Sequence, residues 1–594
     1  MASTYLVLFA CVNLLSLYKI LNLLRYVLLA RKTGLPYTIT PFLETEILAF
    51  LLTPILRWVY HDHLDMGKGW PNWCRFMIKD WSWEDKRIAH DELGDVFLCV
   101  SPEGMICYSA DAAMGWDVMN RRNDFTKPPD KYKLLEPYGP NVATAEGAIY
   151  RFHVRITAPP FGDMSGANDL VWEQMLQQTK RLGEAWAQGA PRDLDMDVNA
   201  LTLAIISKAG FGKDVDWMSN EQQELNLPQG HRISFLKAIS DTTTHMVAIL
   251  VTPGWLLKLT PKSKAHLAHR ELDAYLRELI REENFRIQAN KDLESSTARG
   301  NLLTSVIQAS NSEAKANRDQ ASSNVERKDG FTEDEVMGNL FIYLLAGYET
   351  TANAITYGIL MLALRPDLQE KVIQEIDFVY ATAEDEGRTE LSYKHDFPRL
   401  QYTYGFMYET FRLFPGVTLI TKMAAQPQMI HLSPSLSYTK AHKPPTNVTL
   451  PAGTRVYLSA PGVHYNPRYW PHPYNLDPHR WIGTPTASAT APNAKREEEN
   501  LKLGSNGGAA AAADKTRHMR GTLLTFSDGA RSCLGRKFAQ AEYMAFFTAI
   551  LKRYRFVLAD GMDRDWVERQ LWKKSAGKVT LAPVAGMAAK LEKR

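Results

Sequence analysis

Residues 526–535, FSDGARSCLG, place one of only five cysteines, Cys533, between Gly529 and Gly535, with Arg531 two positions before it and Phe526 at the start. A cysteine packed in a core needs neither flanking glycines nor a nearby charge. One that must stay ionised beside a flat cofactor uses both, because glycines let the backbone come close and cations favour the thiolate. Upstream, AGYETT sets Glu349 and Thr350 side by side, with Gly347 and Thr351, inside an apolar run. An acid beside an alcohol could move protons to a bound ligand. A tolerated kink explains the same residues without one, since threonine hydroxyls bond carbonyls four residues back and bend helices. In YETFRLFPG, Glu409 and Arg412 are three apart and share a helix face. Arg480, in NLDPHRWIG, would add a second cation to that carboxylate. Such a network tolerates burial only with bidentate geometry.

These side chains need elements to hold them. FTEDEVMGNLFIYLLAGYETTANAITYGILMLAL predicts a helix with Thr332 as N-cap and Glu335 closing a capping box. Acidic residues fill its first turn, and Arg365-Pro366 ends it. About 32 residues make roughly 48 Å, enough to cross a domain. The pattern after Cys533 is also helical, so a helix N-terminus is expected to lower the thiol pKa. DVFLCVS and GMICYSA, within 95–110, read as strands, while 172–414 is mainly helical. The predicted class is mainly α (α+β), with a small β region. Residues 311–330 read as a loop. Residues 484–520, small, polar and repetitive, read as a mobile surface insertion.

The chain of 594 residues is 45% hydrophobic and 23% charged, with net charge +3, as in ordinary globular proteins. It has no basic stretch interleaved with aromatics, which argues against a nucleic-acid partner. The cysteines form no C-x-x-C pair and no zinc spacing, which suits a reducing compartment. Residues 1–32 hold two apolar runs broken by Lys19 and Arg25 and closed by Arg31 and Lys32. They are expected to form an uncleaved, single-pass membrane anchor, with Lys19 snorkelling to the interface and the bulk of the chain in the cytosol. Residues 42–60 read as an amphipathic helix on the membrane surface, within a linker over 33–78. Residues 79–594 form the catalytic domain.

Taken together the motifs resemble the cytochrome P450 family, in particular its fungal, membrane-anchored members. Phe526, Gly529, Arg531, Cys533 and Gly535 fill F-x-x-G-x-R-x-C-x-G. Ala346, Gly347, Glu349, Thr350 and Thr351 fill A-G-x-E-T-T, and Glu409 and Arg412 fill E-x-x-R. The resemblance implies a P450 fold binding haem b (iron protoporphyrin IX), with Cys533 as the axial iron ligand. It also implies Phe526 shielding the sulfur, Arg531 on a haem propionate, Thr350 holding water near the oxygen site and Glu349 feeding a proton relay. The implied reaction is monooxygenation: one atom of O2 enters an apolar, lipophilic small molecule, with electrons from NADPH through a separate NADPH–cytochrome P450 reductase. The implied setting is fungal secondary metabolism at the endoplasmic reticulum membrane. Arg536 and Lys537 could dock the reductase, or simply be solvated helix charge.

Some positions depart from the family pattern. Tyr150 and Val154 stand where a Trp-x-x-x-Arg pair is usual, leaving Arg151 or Arg155 as possible replacements for the propionate contact. Lys422 stands where an arginine is common, and His479 replaces a glutamate. A haem-thiolate isomerase or dehydratase needing no O2, and a non-catalytic haem sensor, are the alternatives. The presence of both Glu349 and Thr350 argues against the isomerase.

Overall fold

In a computed structural model of the chain, every residue is described except 1, 62, 64–68, 190–192, 216–226, 261, 290–300, 320–329, 434–444, 483–519 and 577–578. The expected insertion at 484–520 therefore lies almost wholly outside the described residues.

The two N-terminal apolar runs form one continuous helix, α1 (Ala2–Thr33). Its stretch Phe9–Thr33 is long and apolar enough to cross a membrane. Lys19 pairs with Glu103 in the turn between two strands. Beyond it, Leu23, Tyr26, Val27 and Ala30 pack on the sheet. Described parts of residues 33–78, expected as a linker, belong to the fold. Strand β1 (Tyr37–Ile39) joins the main sheet, and Trp70, Cys74, Phe76, Met77 and Ile78 are core. Between them α2 (Ile47–Val59) leaves Phe50, Ile55 and Trp58 exposed, as a surface-lying amphipathic helix should.

The predicted strands are β2 (Val96–Ser101) and β3 (Gly104–Ser109). Both faces are buried, because Leu98 and Val100 face one cluster while Phe97 and Cys99 face another. A short strand, β4 (Phe125–Thr126), precedes α3 (Gly147–Thr157), α4 (Ala167–Gln188) and α5 (Leu194–Phe211). Helix α6 (Leu302–Asp319) occupies the first half of the segment read as a loop; residues 320–329 lie outside the described residues. Helix α7 (Glu333–Leu364) has the predicted capping box, and Pro366 opens the next helix. Then come α8 (Gln401–Leu413), β5 (Leu419–Ala424), β6 (Gln428–His431), β7 (Asn447–Leu450), β8 (Arg455–Ser459), α9 (Arg536–Leu551), β9 (Tyr554–Leu558) and β10 (Ala589–Lys593).

The main sheet runs β1-β2-β3-β8-β5-β4, with β6–β7 and β9–β10 as separate pairs. Helix α5 packs along α7, and α4 packs along α9. Tyr343, Leu344, Tyr348, Ala352 and Ile355 of α7 join this one large core. The chain is mainly α with a small β region, as its patterning predicts.

Candidate active site

The loop before α9 is built by local bonds. Asp528 caps the Gly529 N–H at 2.8 Å, a short 3-10 turn follows, and the Cys533 N–H closes onto the Phe526 carbonyl at 2.8 Å. Gly529 has φ +66, and an added Cβ would stand 2.9 Å from Asn120 Oδ1. Both conformation and space require glycine there. Gly535 differs: its φ of −81 suits any residue. A Cβ there would sit 4.0 Å from the Cys533 sulfur, an ordinary contact, so neither the backbone nor the surrounding protein atoms require glycine at that position.

Cys533 opens on a cavity of about 430 Å³. Burial pushes its thiol up; the Gly535 N–H and Arg536 pull it back only in part. The Gly535 N–H at the N-cap of α9 acts in the direction expected of a helix start, and a metal cation on the sulfur would complete the ionisation, since thiols ligate as thiolates. Phe526 lies in the cavity wall beside it, edge-on to Phe411 at 5.4 Å and beneath Arg536.

Across the cavity runs α7. Its middle is buried except at Ala346, Gly347 and Thr350, which face the opening. The helix continues unbroken through Gly347, whose added Cβ would press on Ile206 at 3.2 Å. Thr350 Oγ1 donates to the Ala346 carbonyl at 2.7 Å and lines the cavity. Thr351 lines it too. Glu349 does not: it is buried, and its Oε1 accepts from the Thr580 N–H and hydroxyl.

The structure assembles the third motif fully. Arg412 and Glu409, both wholly buried, make a bidentate pair at 2.7 and 2.7 Å. Arg480 Nε approaches Glu409 at 3.5 Å, and Trp481 Nε1 and the Asp477 N–H donate to its remaining lone pairs. Arg412 also donates to the carbonyls of His464, Pro473 and Asn475. With every donor and lone pair directed, the desolvation cost is offset.

The cytochrome P450 family profile matches residues 73–581. The chain belongs to the cytochrome P450 family. It is 52% identical over 580 residues to cytochrome P450 monooxygenase ORF6 of Penicillium roqueforti, covering 97% of this chain and 96% of that one. It is 53% identical, over the same shares, to cytochrome P450 monooxygenase prx9 of Penicillium rubens. The fold matches the crystal structure of the cytochrome P450DA heme domain with a TM-score of 0.61 at 17% identity, over 86% of this chain and 92% of that one. The enzyme class is monooxygenase, and the group such proteins carry is haem iron on a cysteine thiolate.

The charges of this P450 fit that group. Residues 125 and 126 of β4 pair antiparallel with 424 and 423 of β5, and the next step of the register sets Lys127 beside Lys422. Like charges opposite each other on paired strands destabilise a sheet. Both lysines line the cavity with Arg531. Burial, then Arg531, push the Lys422 ammonium down to about 8. Burial, then Arg531 and Lys422, push Lys127 well down. Among the groups acting on them only Glu146 is anionic, and it already pairs with Arg531 Nη2 at 2.7 Å. Arg531 Nη1 is buried with no hydrogen-bond partner. Three cations and one stranded donor in one cavity with one carboxylate suit a ligand bearing two carboxylates. The sequence pointed to Arg531 and Lys422 but missed Lys127. Of the replacements expected on α3, Arg151 is exposed and Arg155 pairs with Glu313 away from the cavity. Tyr150 is the α3 residue that reaches the site: its ring lies under the Arg531 guanidinium at 3.2 Å, and its hydroxyl donates to the Ala530 carbonyl.

Proposed function

We propose that the chain inserts one oxygen atom from O2 into a C–H or C=C bond of an apolar small molecule of secondary metabolism. Electrons come from NADPH through a separate membrane-bound NADPH–cytochrome P450 reductase. The bound group is haem b, and the protein sits at the endoplasmic reticulum membrane with its catalytic domain in the cytosol. The observation that carries this reading is the Cys533 thiol opening on a cavity whose far wall presents Thr350.

Haem in this cavity would supply the activation of O2. Cys533 would ligate its iron as a thiolate. The Gly535 N–H would hold part of that negative charge, and Phe526 would shield the sulfur from water. Lys127, Lys422 and Arg531 would take the two propionates, with Tyr150 and Glu146 fixing the Arg531 plane. Thr350, its proton on the Ala346 carbonyl, would offer its remaining oxygen lone pair to a water and so hold a proton source in place. Ile206, Ile342, Val417 and Leu419 form an apolar wall that selects a lipophilic substrate and excludes bulk water. No charged group stands on that wall, so substrate orientation would come from shape.

Reconstitution tests the proposal. Membranes carrying the protein and a reductase should consume NADPH and O2 in the presence of a lipophilic extract and release products one oxygen heavier. Cys533→Ser should abolish both this turnover and the carbon monoxide difference band of a haem thiolate, since a hydroxyl is a poor soft donor. Product formed without NADPH or O2 would replace the monooxygenase with the isomerase.

A further inference from the structure

Glu349 stands one residue before Thr350, yet its carboxylate serves a different segment. Oε1 takes two hydrogen bonds from one residue, the Thr580 N–H at 3.1 Å and the Thr580 hydroxyl at 2.8 Å. The Thr580 oxygen in turn accepts from Asn353 Nδ2 at 2.9 Å, one turn along α7. These directions fix one another. With its proton on Glu349, the Thr580 hydroxyl can only accept from Asn353, so the amide must present its NH2. Asn353 keeps that orientation even though its Oδ1 is left buried without a hydrogen-bond partner.

The residue after this contact is Leu581. It is buried, gives its N–H to the Gly416 carbonyl at 2.9 Å, and lines the cavity. The loop around it is closed by the Ala576 N–H on the Ala582 carbonyl at 3.0 Å. Leu581 thus reaches the chamber from a C-terminal loop whose tie to α7 is Glu349–Thr580–Asn353.

We infer that Glu349 is a positioning residue that clamps the C-terminal loop to α7 and, through Leu581, sets the shape of the substrate chamber. This rests on the cavity being the substrate chamber of the proposed monooxygenase. It gives the carboxylate a task other than the proton relay implied by its place in the motif. A carboxylate that accepts two directed bonds from one residue, and does not line the cavity, is built to hold rather than to shuttle. An amide can hold the same way, since its carbonyl accepts the same two bonds, but it cannot carry a proton by titrating.

The test uses the full-length holoenzyme and two readouts. One is the spectral titration of phenylimidazole, an apolar azole that fills the chamber. The other is amide hydrogen exchange in the peptide containing Thr580 and Leu581. Glu349→Ala and Thr580→Val should each weaken phenylimidazole about tenfold, the scale of one lost charge-assisted hydrogen bond, and speed exchange at the loop. Glu349→Gln should restore both readouts to within about twofold of the unaltered protein. Unchanged exchange and affinity in Glu349→Ala would overturn the clamp. So would a Glu349→Gln variant as impaired as the alanine one, because the charge rather than the bonds would then matter. Exchange does not depend on haem. A protein lacking the haem-thiolate band would sink the reading of the cavity, while the clamp would still be decided by exchange alone.

Discussion

His464 accepts the Leu524 N–H on Nε2 at 2.8 Å. Because that nitrogen accepts, Nδ1 carries the proton and donates to the Arg412 carbonyl, also at 2.8 Å. One buried imidazole therefore joins the Glu409–Arg412 network to the loop that presents Cys533. Burial, then Arg412, push His464 down to about 3, which keeps it neutral and able to accept.

His464→Ala strands the Leu524 N–H and the Arg412 carbonyl, at about 1–3 kcal/mol each. Denaturant titration should show a loss of about 3 kcal/mol, with faster haem loss. The same histidine sets an acid limit. Its folded pKa lies below its unfolded value, so from pH 6.5 down towards 3 the unfolded chain takes up a proton that the fold refuses. Stability should fall with falling pH at about 1.4 kcal/mol per unit for each such group. His90, pushed down to about 4 by burial, adds a second. Asp85, pushed up to about 6 by burial, acts with the opposite sign in the same window, so the reading is the difference in slope between the unaltered protein and His464→Ala from pH 6.5 to 5, and equal slopes would contradict the neutral bridge.

The paired lysines make haem binding pH-dependent. In the free protein Lys422 titrates near 8, facing Lys127, Arg531 and Glu146; a propionate beside it would raise that value. Binding then takes up a proton at Lys422 above pH 8, while Cys533 releases one as it becomes a thiolate, so haem affinity relative to a Lys422→Arg variant should be level below pH 8 and fall above it. Lys127→Met should weaken haem retention at all pH values. Transfer of haem to an acceptor protein, followed by absorbance, reads both.

Thr350→Ala keeps the helix, since alanine has the best helix propensity, and leaves Ala346 with its ordinary helical bond. It removes the hydroxyl from the cavity wall. NADPH should still be consumed, but the ratio of oxygenated product to NADPH should fall, by up to about 100-fold on the scale of acid–base groups, with hydrogen peroxide taking up the difference. An unchanged ratio would reduce Thr350 to a helix residue.

Anchor truncations should divide at Lys19. Removal of residues 2–18 takes away helix whose described side chains are exposed, so haem content should survive while membrane binding weakens to what the apolar face of α2 supports. Removal through residue 32 uncovers the cluster that Leu23, Val27 and Ala30 cover, at about 1 kcal/mol or more per side chain. Its thermal midpoint should drop.

What could be read in advance followed locality. Both ends of α7 were legible because capping box and Arg-Pro stop lie within four residues of the boundaries they set. The Cys533 loop was legible because its glycines and charge are neighbours in sequence. Lys127 was not: nothing in FTKPPD marks it, and only the β4–β5 register carries it to Lys422, almost 300 positions away. His464 looked like any polar residue after a strand. Glu349 was recognised as a motif acid, but its partner Thr580 lies 231 positions on, and no periodicity connects them.

The continuity of α1 has a consequence for how substrate arrives. The helix leaves its apolar first part and locks onto the sheet through Lys19–Glu103 without an intervening joint. If the exposed apolar part of α1 enters a bilayer, the sheet is carried on the same continuous element. Lipophilic molecules dissolved in that membrane would then search for the cavity in two dimensions rather than three, at the concentration they reach in lipid rather than in water. The bilayer itself would be the reservoir from which this enzyme draws.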